Sequence, residues 1–139
     1  EGYLTGIVEN IDDTEYSSTS LTYENGDITS ISSKMNGLEN KFIYEPGEES
    51  SKYHLPCLGL LEIHPLTFHI EALYAGLLGK DPRHFTIRSC PAGSNDEKTV
   101  YSYGFDKKGN PSRMICQTTY AGGQASYYPY TRNISVSFE

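Results

Sequence analysis

The residue types that most often act in metal binding are present in this chain, but their spacing is unfavourable. Four histidines stand at His54, His64, His69 and His84. His64 and His69 are five residues apart with Pro65 between them, so neither a helix nor a strand would place both on one face as metal ligands. Because a metal site needs converging ligands, the sequence predicts surface or internally satisfied histidines and no metal site.

The cysteines could supply a nucleophile or a disulfide. Cys57, Cys90 and Cys116 make an odd number without a CxxC pair, which favours buried free thiols; one bridge plus one free thiol is the alternative. A cysteine nucleophile would need a base beside it in space, and His54 and His84 are the nearest histidines in sequence. Such a Cys/His pair is one form of the hydrolase alternative.

Adjacent carboxylates could serve as an acid and base pair. They occur as Asp12 and Asp13, Glu48 and Glu49, and Asp96 and Glu97, all in turn-rich segments. A glycosidase acid needs an apolar setting to raise its pKa, and only Glu62 and Glu71 lie among apolar neighbours. There is also no glycine-rich phosphate loop and no nucleophile elbow, so the sequence predicts a non-catalytic protein without a cofactor.

Tyrosine is concentrated near the carboxyl end, at Tyr120, Tyr127, Tyr128 and Tyr130. Tyrosine offers a rigid surface with a polar tip, which suits sugar or protein recognition, although aromatic pairs also stabilise sheets by themselves. Tyr128 and Tyr130 share a strand face with Ile134, so that face is predicted to be the inner one. Tyr127 is then the exposed member, and the predicted ligand-binding residues are Tyr127, Tyr120 and Tyr130.

Hairpins are the elements that must position these side chains. Asn25-Gly26 is a strong signal for a type I′ turn, and Asn36-Gly37 repeats it. A similar glycine-centred pattern recurs with a tip at Lys108-Gly109 and, in shortened form, at residues 2–7. The sequence therefore predicts a repeated hairpin and an antiparallel meander. The predicted strands span residues 3–9, 15–24, 27–34, 38–44, 84–90, 98–105, 111–120 and about 127–138.

One segment has a helical period instead. Apolar residues from Leu66 to Leu78 recur at i, i+4, i+7 and i+8, with Thr67 as an N-cap and Gly79 suited to the C-terminal end. A helix over 66–78 is predicted, packed on the sheet.

Residues 45–52 are acidic and turn-rich and are predicted to form an exposed loop. The predicted fold class is mainly β (α+β): about eight antiparallel strands, curved or closed into a partial barrel, with one helix packed on it.

Length and charge restrict the function. The chain has 139 residues, which suits a single domain over 1–139, and its opening in the middle of a hairpin pattern suggests a truncated or processed start. A net charge of −7 argues against nucleic-acid binding and against docking on anionic lipid. No run of 18 apolar residues is present, so a membrane-spanning helix is not predicted.

A family resemblance adds to this picture. Phe105-Asp106-Lys-Lys-Gly109-Asn110 resembles the tyrosine-aspartate repeat of secreted bacterial proteins. The order of hairpins around Leu77-Leu78-Gly79-Lys80, followed by Tyr120-Ala-Gly-Gly123, resembles a Bacteroidetes family of envelope lipoproteins of unknown function. The resemblance implies a porin-like or barrel-like β fold and export to the periplasm or the cell surface, with a lipid anchor upstream. It supplies no catalytic residues.

Three function classes follow from these observations. A non-catalytic envelope module that binds a glycan or a protein fits best. A structural or assembly component of a cell-surface complex is the alternative, which an exposed strand edge would favour. A hydrolase ranks third. The oligomeric state is left open by the sequence.

Overall fold

The computed structural model describes residues 2–50, 79–94, 96–108, 111–120 and 131–135. These residues form one antiparallel sheet of eight strands, and each strand pairs with the next one in sequence. In order, the strands are β1 Gly6–Ile11, β2 Thr14–Glu24, β3 Asp27–Met35, β4 Leu38–Ser50, β5 His84–Pro91, β6 Glu97–Phe105, β7 Pro111–Tyr120 and β8 Thr131–Ser135. In this part of the chain β1 and β8 are the two edges.

The α+β class predicted from the sequence is wrong for the residues that the structure describes. All regular structure there is antiparallel β-sheet and no helix occurs. The physical reason is that the described segments alternate with a period of two and are joined by tight turns. Their backbone N–H and C=O groups therefore bond to those of neighbouring strands. The predicted helix over 66–78 lies outside the described residues. No helix in the described ranges is long and apolar enough to cross a membrane.

Three two-residue turns connect the first four strands. Asn25 and Gly26 have φ of 52° and 90°, and Asn36 and Gly37 have φ of 51° and 78°. Positive φ at both central residues is the requirement of a type I′ turn, so the predicted turn at Asn25-Gly26 is confirmed. A third turn, between β1 and β2, uses two aspartates with positive φ. Gly109 lies outside the described residues, and the three-copy repeat stays a prediction.

The predicted exposed loop over 45–52 is wrong as far as residue 50, because β4 continues to Ser50 and pairs with β5. The ladder is irregular on both sides of Pro46. A bulge of this kind accommodates proline, which has no N–H to give to a ladder. A Cβ on Gly47 would lie 2.6 Å from Cγ2 of Ile87, so glycine lets the two strands approach closely.

The amino end also differs from the predicted strand over 3–9, because β1 begins at Gly6. The residues before it pack along the second strand instead. The Tyr3 and Tyr23 ring centroids lie 4.8 Å apart, and the N–H of Leu21 donates to the carbonyl oxygen of Thr5 at 2.9 Å. This leading segment therefore contacts β2 before the regular ladder starts.

One face of the sheet, called here the inner face, forms the core. Leu21 lies opposite Ile31 in the β2–β3 ladder, and Tyr101 lies opposite Cys116 in the β6–β7 ladder. All four are buried, and Ile31 is 0% exposed. Because ladder partners project to the same face, these pairs define rows of side chains that cross the sheet.

Candidate functional site

Hydroxyl groups are unusually frequent among the buried side chains. In the part of the chain that the structure describes, eight hydrophobic and eight polar residues are buried. Since serine and threonine mostly lie on protein surfaces, this balance is unlike an ordinary aliphatic core. Five of the buried hydroxyl residues lie opposite another buried hydroxyl residue in the ladders, in two separate sets. These are Thr19 opposite Ser33, and Ser89 opposite Thr99, which is opposite Thr118.

The inner-face hydroxyls of β5 to β7 are held by mutual hydrogen bonds. The Oγ1 atoms of Thr99 and Thr118 lie 2.8 Å apart, and Oγ of Ser89 lies 2.9 Å from the phenol oxygen of Tyr101. These pairings satisfy polar groups that would be costly to bury alone. The result is an ordered polar row beside the aromatic end of the same strands.

Three aromatic rings pack together where β5 begins and β6 ends. This aromatic group consists of Phe85, Tyr103 and Phe105. The Phe85 centroid lies 4.7 Å from that of Tyr103 and 5.9 Å from that of Phe105. The Tyr103 hydroxyl donates to the carbonyl oxygen of Thr86 at 2.7 Å, which fixes its ring. Phe85 is buried at 6% exposure, whereas Phe105 is 41% exposed, so an open ring rests on a rigid support.

The residues predicted to bind a ligand lie elsewhere or outside the described ranges. Tyr120 is 39% exposed and lies opposite Glu97, at one end of the β6–β7 ladder. Phe105 lies opposite Pro111, at the other end, so the structure does not bring Tyr120 to the aromatic group. Tyr127 and Tyr130 lie outside the described residues. The alternation of Tyr101, Tyr103 and Phe105 was the sequence signal for the aromatic group, but it also fits a hairpin arm.

Of the four histidines, the structure describes His84. Its Nδ1 lies 2.8 Å from Oδ2 of Asp27, which is buried. Cys90 and Cys116 are free thiols. His54, His64, His69 and Cys57 lie outside the described residues. Among the side chains that are described, no three from His, Cys, Asp and Glu converge in a way that could hold a metal ion.

The Asp27–His84 contact belongs to a group of bonds that fasten the start of β5 to the β2–β3 turn. The N–H of Arg83 donates to the carbonyl oxygen of Gly26 at 3.0 Å, and its guanidinium donates to that of Asn25 at 3.3 Å. These bonds use both backbone and side-chain groups of Arg83. The turn is thereby attached to a segment far away in sequence, which indicates a structural role for the Asp27–His84 contact.

The comparisons with known proteins agree with this architecture. A family model described as "Domain of unknown function (DUF4595) with porin-like fold" matches residues 1–113. The chain belongs to this family. The porin-like fold of the DUF4595 family agrees with the fold that the sequence resemblance implied, whereas a lipoprotein family and the repeated hairpins are not confirmed. No curated protein matches this DUF4595 chain.

A solved structure resembles this DUF4595 chain over almost its whole length. It is a porin-like protein from Bacteroides uniformis, with 25% sequence identity and a TM-score of 0.80. The likeness covers 99% of this chain and 54% of that protein. The chain therefore spans about half the length of the solved structure that it matches.

Proposed function

We propose that this porin-like domain is a non-catalytic binding module of the bacterial envelope and that its ligand is a glycan. The observation that supports this proposal is the exposed ring of Phe105, which packs on Phe85, which in turn packs on Tyr103. A ring held in this way has little conformational freedom to lose on binding, so its contact area is used efficiently.

An exposed aromatic ring on a polar sheet suits a sugar better than a purely apolar ligand. An aromatic face packs against the C–H face of a sugar ring, while the sugar hydroxyls stay in contact with water or with polar groups at the edge of the platform. The hydroxyls of the adjoining inner face, among them Ser89 and Tyr101, are buried and bond to each other. They therefore hold the sheet beneath the platform in place, and the ring of Phe105 makes the proposed contact with the glycan.

The proposed envelope setting rests on the fold. The porin-like family and the likeness to a protein from Bacteroides uniformis both support it. The sequence resemblance to envelope lipoproteins points in the same direction. A non-catalytic role is supported by the use of Asp27 and His84, which bind each other and fasten two strands.

A glycan array followed by calorimetry with the purified chain tests this proposal. Phe105→Ala should weaken binding of the best glycan by about tenfold or more, the loss expected for a central aromatic contact. Ile43→Ala is the matched control, because Ile43 is 42% exposed but lies on the other face of β4 from buried Tyr44. Equal affinity in wild type and Phe105→Ala, or conversion of the glycan to a product, would overturn the proposal.

A role as an assembly component of a cell-surface complex is a second candidate. The edge strand β1 favours it, since its backbone pairs on one side with β2 in the described part of the chain.

A further inference from the structure

The excess of negative over positive charge in this protein comes from one end of its sequence. Residues 1–33 contain seven carboxylates and no lysine or arginine, whereas the other 11 of the 18 acids are balanced by all 11 lysines and arginines. The net charge of −7 therefore belongs to residues 1–33. An asymmetry of this kind directs oppositely charged partners to one region of the surface.

The described part of that acidic segment contains the β1 edge of the sheet. Residues 1–33 include β1, β2 and most of β3, and β1 is the terminal strand of the order. Four of the acids lie on β1, in its turn and at the start of β2: Glu9, Asp12, Asp13 and Glu15. Glu9 and Glu15 accept hydrogen bonds from Ser17 and Ser18, both at 2.9 Å, and the two turn aspartates are exposed.

The backbone of β1 carries hydrogen-bonding groups on the side away from β2, where no other strand of the described residues pairs with it. Because the Leu21 N–H donates to Thr5, alternation along the ladder turns the N–H and C=O groups of Gly6 and Val8 away from β2. The side chains of Val8 and Ile11 are 61% and 52% exposed. Beyond Glu9 the register shifts, so the regular edge is short.

We propose that the β1 edge binds a basic, extended segment of another protein, which adds to the sheet as a further antiparallel strand. Strand addition uses main-chain hydrogen bonds for affinity and alternate side chains for specificity. Gly6 and Val8 supply the main-chain hydrogen bonds, and the side chains of Val8 and Ile11 supply apolar contacts. The turn aspartates select lysine or arginine in the partner. A second copy of this chain is disfavoured, because two acidic edges would be brought face to face. This surface is separate from the aromatic group proposed to bind a glycan.

The probe is a synthetic peptide of about eight residues that alternates valine and lysine, the length of an ordinary strand. Its binding to the full 139-residue chain is measured by fluorescence anisotropy at low and high salt. The expected result is saturable binding that weakens as salt screens the charges, with no binding of a valine–glutamate peptide. Absence of binding at millimolar peptide, or equal binding of the acidic peptide, would overturn the proposal.

Two variants locate the site on the β1 edge. Val8→Pro removes an outward N–H without removing a bond to β2, so binding should be lost while the far-ultraviolet circular dichroism is kept. If Val8→Pro perturbs the fold, Val8→Lys serves instead, since it retains the strand and repels the basic peptide. Unchanged affinity in the folded variant would show that the peptide binds elsewhere, which contradicts the proposal.

Two double variants test whether the negative charge of the β1 edge is needed for binding. Asp12→Asn with Asp13→Asn removes two charges from the edge, and asparagine tolerates the positive φ of both positions. Glu48→Gln with Glu49→Gln removes two charges from β4, away from the edge. The first pair should weaken binding about fivefold at low salt, and the second should leave it unchanged. Equal effects of both pairs, or dimerisation of the chain in sedimentation runs, would refute a basic partner at this edge.

Discussion

Asp27 holds His84 through two contacts, although 57 residues separate them in sequence. The backbone N–H of His84 donates to Oδ1 at 2.8 Å, and Nδ1 of its ring lies 2.8 Å from Oδ2. The β3–β4 ladder begins only at Ser30 opposite Ile43, so the first residues of β3 are free to meet the start of β5. The carboxylate thus joins two strands that are not neighbours in the sheet.

Replacing Asp27 should therefore destabilise the fold. Asp27→Ala leaves the His84 N–H without its acceptor, at a residue that is only 7% exposed. We expect the free energy of unfolding in urea to fall by about 2–4 kcal/mol, the range for an acceptor lost from a buried charged contact. Glu24→Ala, at an exposed position of β2, is the control and should change it by less than about 0.5 kcal/mol. Equal effects would show that the contact adds no stability.

The two asparagine–glycine turns should respond differently to alanine. A Cβ on Gly26 would lie 2.6 Å from Cδ of Arg83 and 2.9 Å from the Tyr3 hydroxyl, whereas Gly37 has open space around it. Both have positive φ, so Gly37→Ala should cost about 1 kcal/mol from backbone strain alone. Gly26→Ala should cost at least about 1 kcal/mol more, because Arg83 must move. Thermal unfolding of both variants measures the difference, and equal midpoints would contradict it.

The hydroxyl pair on the inner face should behave as a coupled unit. Thr99→Val and Thr118→Val each leave a buried hydroxyl without its partner and should each cost about 1–3 kcal/mol. The double variant removes both polar groups and should cost less than the sum of the two. A double-mutant cycle from urea unfolding measures this coupling. Additive losses would indicate that the 2.8 Å contact is not an effective hydrogen bond.

Within the aromatic group, Phe85 should contribute much more to stability than the exposed Phe105, which is the proposed ligand contact. Phe85→Ala removes a ring that is 6% exposed and should cost about 3–5 kcal/mol of unfolding free energy. Phe105→Ala truncates a ring that is 41% exposed, so most of that cost should be absent. Chemical denaturation of the two variants checks this order. The reverse order would mean that Phe105 is mainly a core residue and not a ligand platform.

Local features of the fold could be predicted from the sequence because they depend on neighbouring residues. Asn25-Gly26 forms its turn since asparagine and glycine tolerate positive φ, whatever lies elsewhere in the chain. Most strand positions followed from alternation with period two. Composition also indicated the prevalence of β structure, and the charge run in residues 1–33 can be counted directly.

The longer reach of β4 and the identity of the candidate site were decided by the tertiary structure. Pro46 and the surrounding glutamates predict a loop locally, but pairing with β5 and the close approach of Ile87 to Gly47 keep the segment in the sheet. Likewise, the alternation of Tyr103 and Phe105 does not reveal that Phe85 supports one ring and leaves it open.

Asp27 and His84 show most clearly the difference between what local sequence determines and what the tertiary structure decides. The sequence determined that an aspartate follows a tight turn and that a histidine opens a later strand. Only the folded sheet decided that they meet, because their contact depends on where β4 leaves β3 and not on any local preference. Spacing along a chain fixes turns and faces, whereas the assembly of a site depends on distances between strands, which local sequence does not specify.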